Sequence, residues 1–180
     1  MEQNVERILI PTDAIFQRLD GLAEEILRDY QGKELTILAV LNGSLIFAAD
    51  LLRRLPIPLK LECISVASYH GGTQTSGKVV FDQISLPDLN GRHVLILDDI
   101  LDTGLTLNAI CEKLLRETSP LSLKICVLLR KIKKRVQPVS ADFVGFDIGD
   151  QFVIGYGLDF QEQYRNLPYI GVMRERMKYE

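Results

Sequence analysis

The sequence predicts an α/β fold, a parallel sheet core flanked by helices with a smaller lobe toward the C-terminus. Two observations carry this. Residues 35–41, 94–97 and 123–129 are near-continuous apolar runs of strand length, the pattern of strands buried on both faces. Between them the apolar spacing turns helical. Strand–helix–strand alternation builds a parallel sheet whose ligand groups gather at the carboxyl ends of the strands.

Taken in order, Pro11-Thr12-Asp13 opens a helix with apolar positions Ile15, Leu19, Leu22, Ile26 and Tyr30, closed by Gly32. The strand over 35–41 ends at Asn42-Gly43-Ser44. A second helix then runs to about Leu55 through Ile46, Ala49 and Leu52, until Pro56 and Pro58 stop it. Apolar residues at 59, 61, 64, 66 and 67 predict a third strand. The polar, glycine-bearing stretch 68–78 is too long for a tight turn and is expected to be a mobile excursion. A return strand at 79–81 and a turn at 87–91 follow.

The chain is organised around residues 94–106. Val94-Leu95-Ile96-Leu97 stops at two carboxylates, Asp98 and Asp99. Asp102 follows after Ile100 and Leu101, then Thr103-Gly104 and Thr106. From Leu105 the spacing is helical, through Leu107, Ile110, Leu114 and Leu115. A strand that feeds a Thr/Gly loop opening a helix surrounds one point with N–H groups and hydroxyls, which makes a phosphate cradle. Carboxylates repel phosphate, so Asp98 and Asp99 should face sugar hydroxyls or a divalent cation. Beyond a helix at about 105–117 and the strand at 123–129 comes a basic run, Arg130-Lys131-Ile132-Lys133-Lys134-Arg135. Residues 142–146 and 151–157 are short β candidates, and 174–180 a charged tail.

Composition narrows the function classes. At 180 residues, 47% hydrophobic and 25% charged, the chain reads as one ordinary globular domain. A net charge of −3 argues against broad attraction to nucleic acid or membranes. No apolar run approaches the ~20 residues of a membrane span. Met1-Glu2-Gln3-Asn4 leads into no apolar signal region, so a cytoplasmic location is expected. Cys63, Cys111 and Cys126 lie in apolar contexts without C-x-x-C spacing and read as reduced core thiols. His70 and His93 are the only histidines, which leaves little for a histidine-based metal site.

Residues 98–106, Asp-Asp-Ile-Leu-Asp-Thr-Gly-Leu-Thr, closely resemble the phosphoribosyl-pyrophosphate signature of type I phosphoribosyltransferases. Leu41-Asn42-Gly43-Ser44, Ser68-Tyr69, Lys131, Asp142-Phe143-Val144-Gly145-Phe146, the run 152–160 and Tyr164-Arg165-Asn166-Leu167 are similar to the hypoxanthine (hypoxanthine-guanine) members. The motifs span about 40–170 in the family's order. No G-x-x-x-x-G-K-[ST] loop competes, and Gly155-Tyr156-Gly157 follows no βα turn.

The resemblance implies the type I phosphoribosyltransferase fold as a single domain over 1–180. Its core would cover about 33–130, and a hood about 131–170 with an N-terminal contribution. It implies purine salvage: transfer of the phosphoribosyl group from phosphoribosyl pyrophosphate to hypoxanthine, and to guanine, with Mg²⁺. Thr103, Gly104, Leu105 and Thr106, with backbone N–H groups from Asp102 onward, would hold the 5-phosphate. A threonine there also suits a helix cap. Asp98 and Asp99 would take ribose hydroxyls and the metal; the family usually has Glu-Asp here, so Asp98 is one methylene short. Asp102 would be the general base for the purine proton.

Asn42 and Gly43 would bind pyrophosphate through the backbone, across a Leu41–Asn42 peptide that is cis in some relatives. Many relatives have lysine at the position of Asn42. Ser68 and Tyr69 would head a lid, and Arg165 would clamp pyrophosphate with its guanidinium fork. Lys131 would read the 6-oxo group, Phe152 stack on the base, and Val153 touch its edge through the backbone. Asp159 would meet the base or the metal. The partners implied are phosphoribosyl pyrophosphate and a 6-oxopurine, with no nucleic acid or membrane, in a homodimer or homotetramer. Two rivals remain: a nucleic-acid-binding regulator on this fold, for which the basic run speaks, and a xanthine-preferring transferase.

Overall fold

Six strands form the central sheet in the order β4-β3-β2-β5-β6-β7. They are β2 (Leu35–Leu41), β3 (Leu59–Ser68), β4 (Val79–Phe81), β5 (His93–Leu101), β6 (Ser122–Lys131) and β7 (Phe143–Ile148). Only β4 is antiparallel, pairing with the end of β3. The structure is a computed structural model and describes residues 2–68, 79–81, 86–133 and 136–174.

The apolar runs do become the buried strands. Val94, Leu95, Ile96 and Leu97 are all fully shielded. Helix α1 (Thr12–Asp29) and helix α2 (Leu45–Leu52) cover one face. Ile15, Leu19, Leu22, Ile26, Phe47 and Leu51 pack there against Ile37, Leu95, Leu97 and Leu128. Helix α3 (Leu105–Glu117) covers the other face, with Leu107, Ile110 and Leu114 against Leu38, Val94, Ile96 and Val127. The α1 positions recur at three- and four-residue intervals, which puts them on one helical stripe.

Strand order reverses between β2 and β5. From β2 the chain crosses through α2 to β3 on one side; from β5 it crosses through α3 to β6 on the other. The loops after two such strands diverge and leave a crevice at their carboxyl ends. Asn42-Gly43 and Asp98-Asp99 stand at that crevice.

A second, three-stranded sheet joins β1 (Val5–Ile10), β9 (Ile170–Met173) and β8 (Val153–Ile154), all antiparallel. Ile154, Tyr164, Leu167 and Met173 form its own small core. The smaller lobe therefore starts after Ile148, later than the expected 131. The stretch 143–148 pairs with β6 from Cys126↔Phe143 to Lys131↔Ile148 and belongs to the main sheet. Alternation along so short a run shows a strand but not which sheet it joins. Helix α2 ends at Leu52 rather than about Leu55, because a tighter turn (Arg54 N–H to Leu51 O, Leu55 N–H to Leu52 O) closes it before Pro56. The excursion expected at 68–78 lies outside the described residues beyond Ser68.

Candidate active site

Strand β5 continues past its apolar half and carries Asp98 and Asp99 into the crevice. The Asp98 carboxylate accepts the Asp99 backbone N–H at 3.0 Å. Burial pushes Asp98 well above the usual carboxylate range, and the Asp99 charge adds to it. Asp99 is also raised by burial, which outweighs the hydrogen bonds from Asp98 and the backbone and the Arg165 charge. Two desolvated carboxylates at one rim suit a hard divalent cation, which neutralises both. Among the described residues no three acidic, His or Cys side chains gather as a complete metal site. A cation there would draw further oxygens from its ligand or from water.

The turn after β2 is pressed against this pair. The Leu41–Asn42 peptide is cis. A Cβ on Gly43 would lie 1.9 Å from Asp99 Oδ2, so only glycine lets the backbone come this near. From the other side, a Cβ on Gly157 would lie 2.1 Å from the Gly43 carbonyl oxygen. The Gly43 loop is thus sandwiched between Asp99 and Gly157. Ser44 anchors it from below, its hydroxyl donating to Val40 O at 2.6 Å.

The turn after β5 has the predicted cradle geometry. Gly104 takes a left-handed conformation (φ 81°), and α3 begins at Leu105 with no side-chain cap. The Thr103 hydroxyl accepts the Leu105 N–H at 3.4 Å, a weak bond. The first N–H groups of a helix have no intrahelical partner and favour an anion. Thr103, Leu105 and Thr106 are half-buried around that point. The Thr103 carbonyl is held by the Val136 and Gln137 N–H groups, at 3.1 and 3.2 Å.

Asp102 sits between this cradle and the end of β6. Lys131 Nζ meets its Oδ2 at 2.8 Å, and Lys133 Nζ meets its Oδ1 at 2.6 Å. Burial would raise the Asp102 carboxyl, but the two ammonium groups outweigh it and hold it below the usual range. Lys131 is buried. An ionised carboxylate beside a buried ammonium sets an acceptor and a donor side by side.

The chain matches the phosphoribosyl transferase domain over residues 8–161. It is 39% identical over 177 residues to the hypoxanthine-guanine phosphoribosyltransferase of Streptococcus pneumoniae, covering 98% of each chain. It is 40% identical over 174 residues to that of Staphylococcus aureus, covering 97% of each. The chain belongs to the hypoxanthine-guanine phosphoribosyltransferase family. Solved structures agree. A hypoxanthine phosphoribosyltransferase from Staphylococcus aureus superposes with a TM-score of 0.92 at 38% identity, over 100% of this chain and 97% of that one. A hypoxanthine-guanine phosphoribosyltransferase from Bacillus anthracis superposes with a TM-score of 0.88 at 38% identity, over 94% and 99%.

The remaining family positions lie in the smaller lobe. Phe152 is half-buried and meets Phe160 edge-on, ring centroids 5.8 Å apart. Val153 is buried on β8. Asp159 pairs with Arg165 Nη1 at 2.9 Å, and the same nitrogen donates to Gly157 O at 2.9 Å. Arg165 therefore clasps the loop that covers Gly43. Ser68 ends β3, and Tyr69 lies outside the described residues.

Sequence reading missed several participants. Lys133 was seen only as part of a basic run, and Asp150 not at all. Tyr156, whose hydroxyl donates to Asp50 at 2.5 Å, ties the smaller lobe to α2. The signal available was register: Lys131 pairs with Ile148, so two residues on, Lys133 faces Asp150. Among the described residues of the basic run, Arg130 also forks onto Asp147 at 2.6 and 2.8 Å, so Arg130, Lys131 and Lys133 each have a carboxylate partner.

Proposed function

We propose that this chain transfers the phosphoribosyl group of phosphoribosyl pyrophosphate to hypoxanthine and guanine, giving the nucleotide and pyrophosphate. The observation that carries this is the Asp102–Lys131 pair beside the anion cradle. A 6-oxopurine with N7 protonated offers a donor and an oxo acceptor side by side on one edge. Carboxylate and ammonium are the complement of that edge. A 6-amino group would set a donor against the ammonium, so adenine is disfavoured.

In the reaction so read, the N–H groups opening α3 and the hydroxyls of Thr103 and Thr106 hold the 5-phosphate. Asn42 and Gly43 offer backbone N–H groups to the pyrophosphate, and Arg165 lends charge on the same side. Phe152 supplies a face for the base and Val153 a backbone edge. As purine N9 bonds to ribose C1, the C1–pyrophosphate bond breaks and the N7 proton passes to Asp102. Asp98 and Asp99 would hold Mg²⁺, which when bound neutralises charge on the departing pyrophosphate. Asp159 serves this reading by orienting Arg165.

Cys63, Cys111 and Cys126 form no disulfide, which accords with a reducing, cytosolic setting. Among the described residues no helix is long and apolar enough to cross a membrane. A homodimer or homotetramer is the assembly expected; light scattering would reveal it, and a monomer at assay concentration would refute it.

The test is to mix enzyme, Mg²⁺ and phosphoribosyl pyrophosphate with hypoxanthine, guanine, xanthine or adenine in turn. IMP and GMP should form. Absence of both nucleotides would end the proposal.

A further inference from the structure

Asp102 has two ammonium partners where the proposed chemistry needs one. Lys131 meets Oδ2 and Lys133 meets Oδ1, so each oxygen has its own cation. The cause is local. Lys131 ends β6, where Ile132 N–H still bonds Ile148 O at 2.9 Å, and the chain then turns tightly, Lys133 N–H closing back onto Lys131 O at 3.1 Å. Ile132 turns outward and is 71% exposed, while its neighbours turn in toward Asp102. Asp150 lies opposite Lys133 in the same register and takes its ammonium at 2.7 Å. Lys131 reaches Asp150 only at 3.4 Å.

We infer that Lys133 is a positioning residue: anchored on Asp150, it holds the Asp102 carboxylate by one oxygen while the other takes up the purine proton. The inference rests on the proposed roles of Asp102 and Lys131. Lys131 cannot donate fully to the purine oxo group and keep Asp102 Oδ2 occupied along the same line. When a base enters, Oδ2 must be released to face the purine N–H. A half-buried carboxylate stripped of its only cation would lose orientation and ionised character together. With Lys133 on Oδ1, the carboxylate stays paired, ionised and aimed. Among the described residues the charged groups facing Asp102 are Lys131 and Lys133, with Asp150 behind both. The arrangement divides the work: Lys131 moves to the base, and Lys133 stays.

The test uses the whole enzyme with Mg²⁺, phosphoribosyl pyrophosphate and hypoxanthine, in Lys133→Met, Lys133→Arg, Asp102→Asn and the double variant K133M/D102N. Lys133→Met keeps the aliphatic stem and removes the charge. Its kcat should fall about tenfold, with KM for phosphoribosyl pyrophosphate within about twofold. Lys133→Arg should recover to within about threefold of the parent. In the Asp102→Asn background, Lys133→Met should cost less than about twofold, because both changes disable one device. A Lys133→Met enzyme with parental kcat overturns the inference, and so does an equal loss in both backgrounds. Near-parental turnover by Asp102→Asn would instead overturn the underlying role of Asp102.

Discussion

Gly43→Ala is a sharp probe of the crevice. The new Cβ would lie 1.9 Å from Asp99 Oδ2 and 2.6 Å from its Cγ, where ordinary contact begins at 3.4 Å. Asp99 can retreat only by turning its side chain, because its backbone N–H is bonded to the buried Asp98 carboxylate. The loop cannot lift freely either, because Gly157 lies over the Gly43 carbonyl. Something must move by about 1.5 Å, and a misplacement of even ~1 Å costs about 100-fold in rate, or ~2.7 kcal/mol. Overpacking would also lower stability by ~1–3 kcal/mol. Initial rates measured against phosphoribosyl pyrophosphate at saturating hypoxanthine should show that loss in kcat/KM. KM for hypoxanthine should stay within about threefold, since Lys131 and Phe152 are untouched. A kcat/KM for phosphoribosyl pyrophosphate within about threefold of the parent would refute the sandwich as a functional contact.

Lys131→Met should raise KM for hypoxanthine about 10- to 100-fold by removing a charged donor, with phosphoribosyl pyrophosphate binding by calorimetry little changed. Tyr156→Phe loses the bond to Asp50 and should lower stability by ~1 kcal/mol, read as a melting point lower by about 2–4 °C, with the site chemistry intact. The Asp98/Asp99 pair makes stability pH-dependent in a defined sense. Its folded-state carboxyls are raised above their unfolded values, so its stabilising contribution is full below the unfolded pKa and is lost as pH rises through the raised folded one. In metal-free enzyme, Asp98→Asn should therefore melt increasingly above the parent as pH is taken from 5 to 8; a constant difference would exclude the raised carboxyls.

Local pattern carried much of this. The α1 stripe, the α3 start at Leu105 and the shielded run 94–97 are set by nearest neighbours along the chain, and periodicity reports them. The strand, Thr/Gly turn and helix start over 98–106 were legible for the same reason, since they follow one another directly. The pairing of Val5 with Met173 was not legible, because it joins chain ends through backbone bonds that carry no side-chain signature. The Asp159–Arg165 pair was not legible either, because it is set by a turn closed around Gln161 and Glu162, both left-handed. The Lys133–Asp150 contact needed the β6–β7 register, and the Gly157 contact needed the lobes set together.

The central claim is that Asp102 takes the purine proton while other groups bind the ribose phosphate. Asp102→Asn tests it directly, with turnover on hypoxanthine and the dissociation constant of phosphoribosyl pyrophosphate measured on the same preparation. A loss of kcat of about 10²- to 10⁴-fold is predicted, with the dissociation constant within about threefold of the parent. Near-parental turnover, or loss of phosphoribosyl pyrophosphate binding in step with turnover, would contradict it.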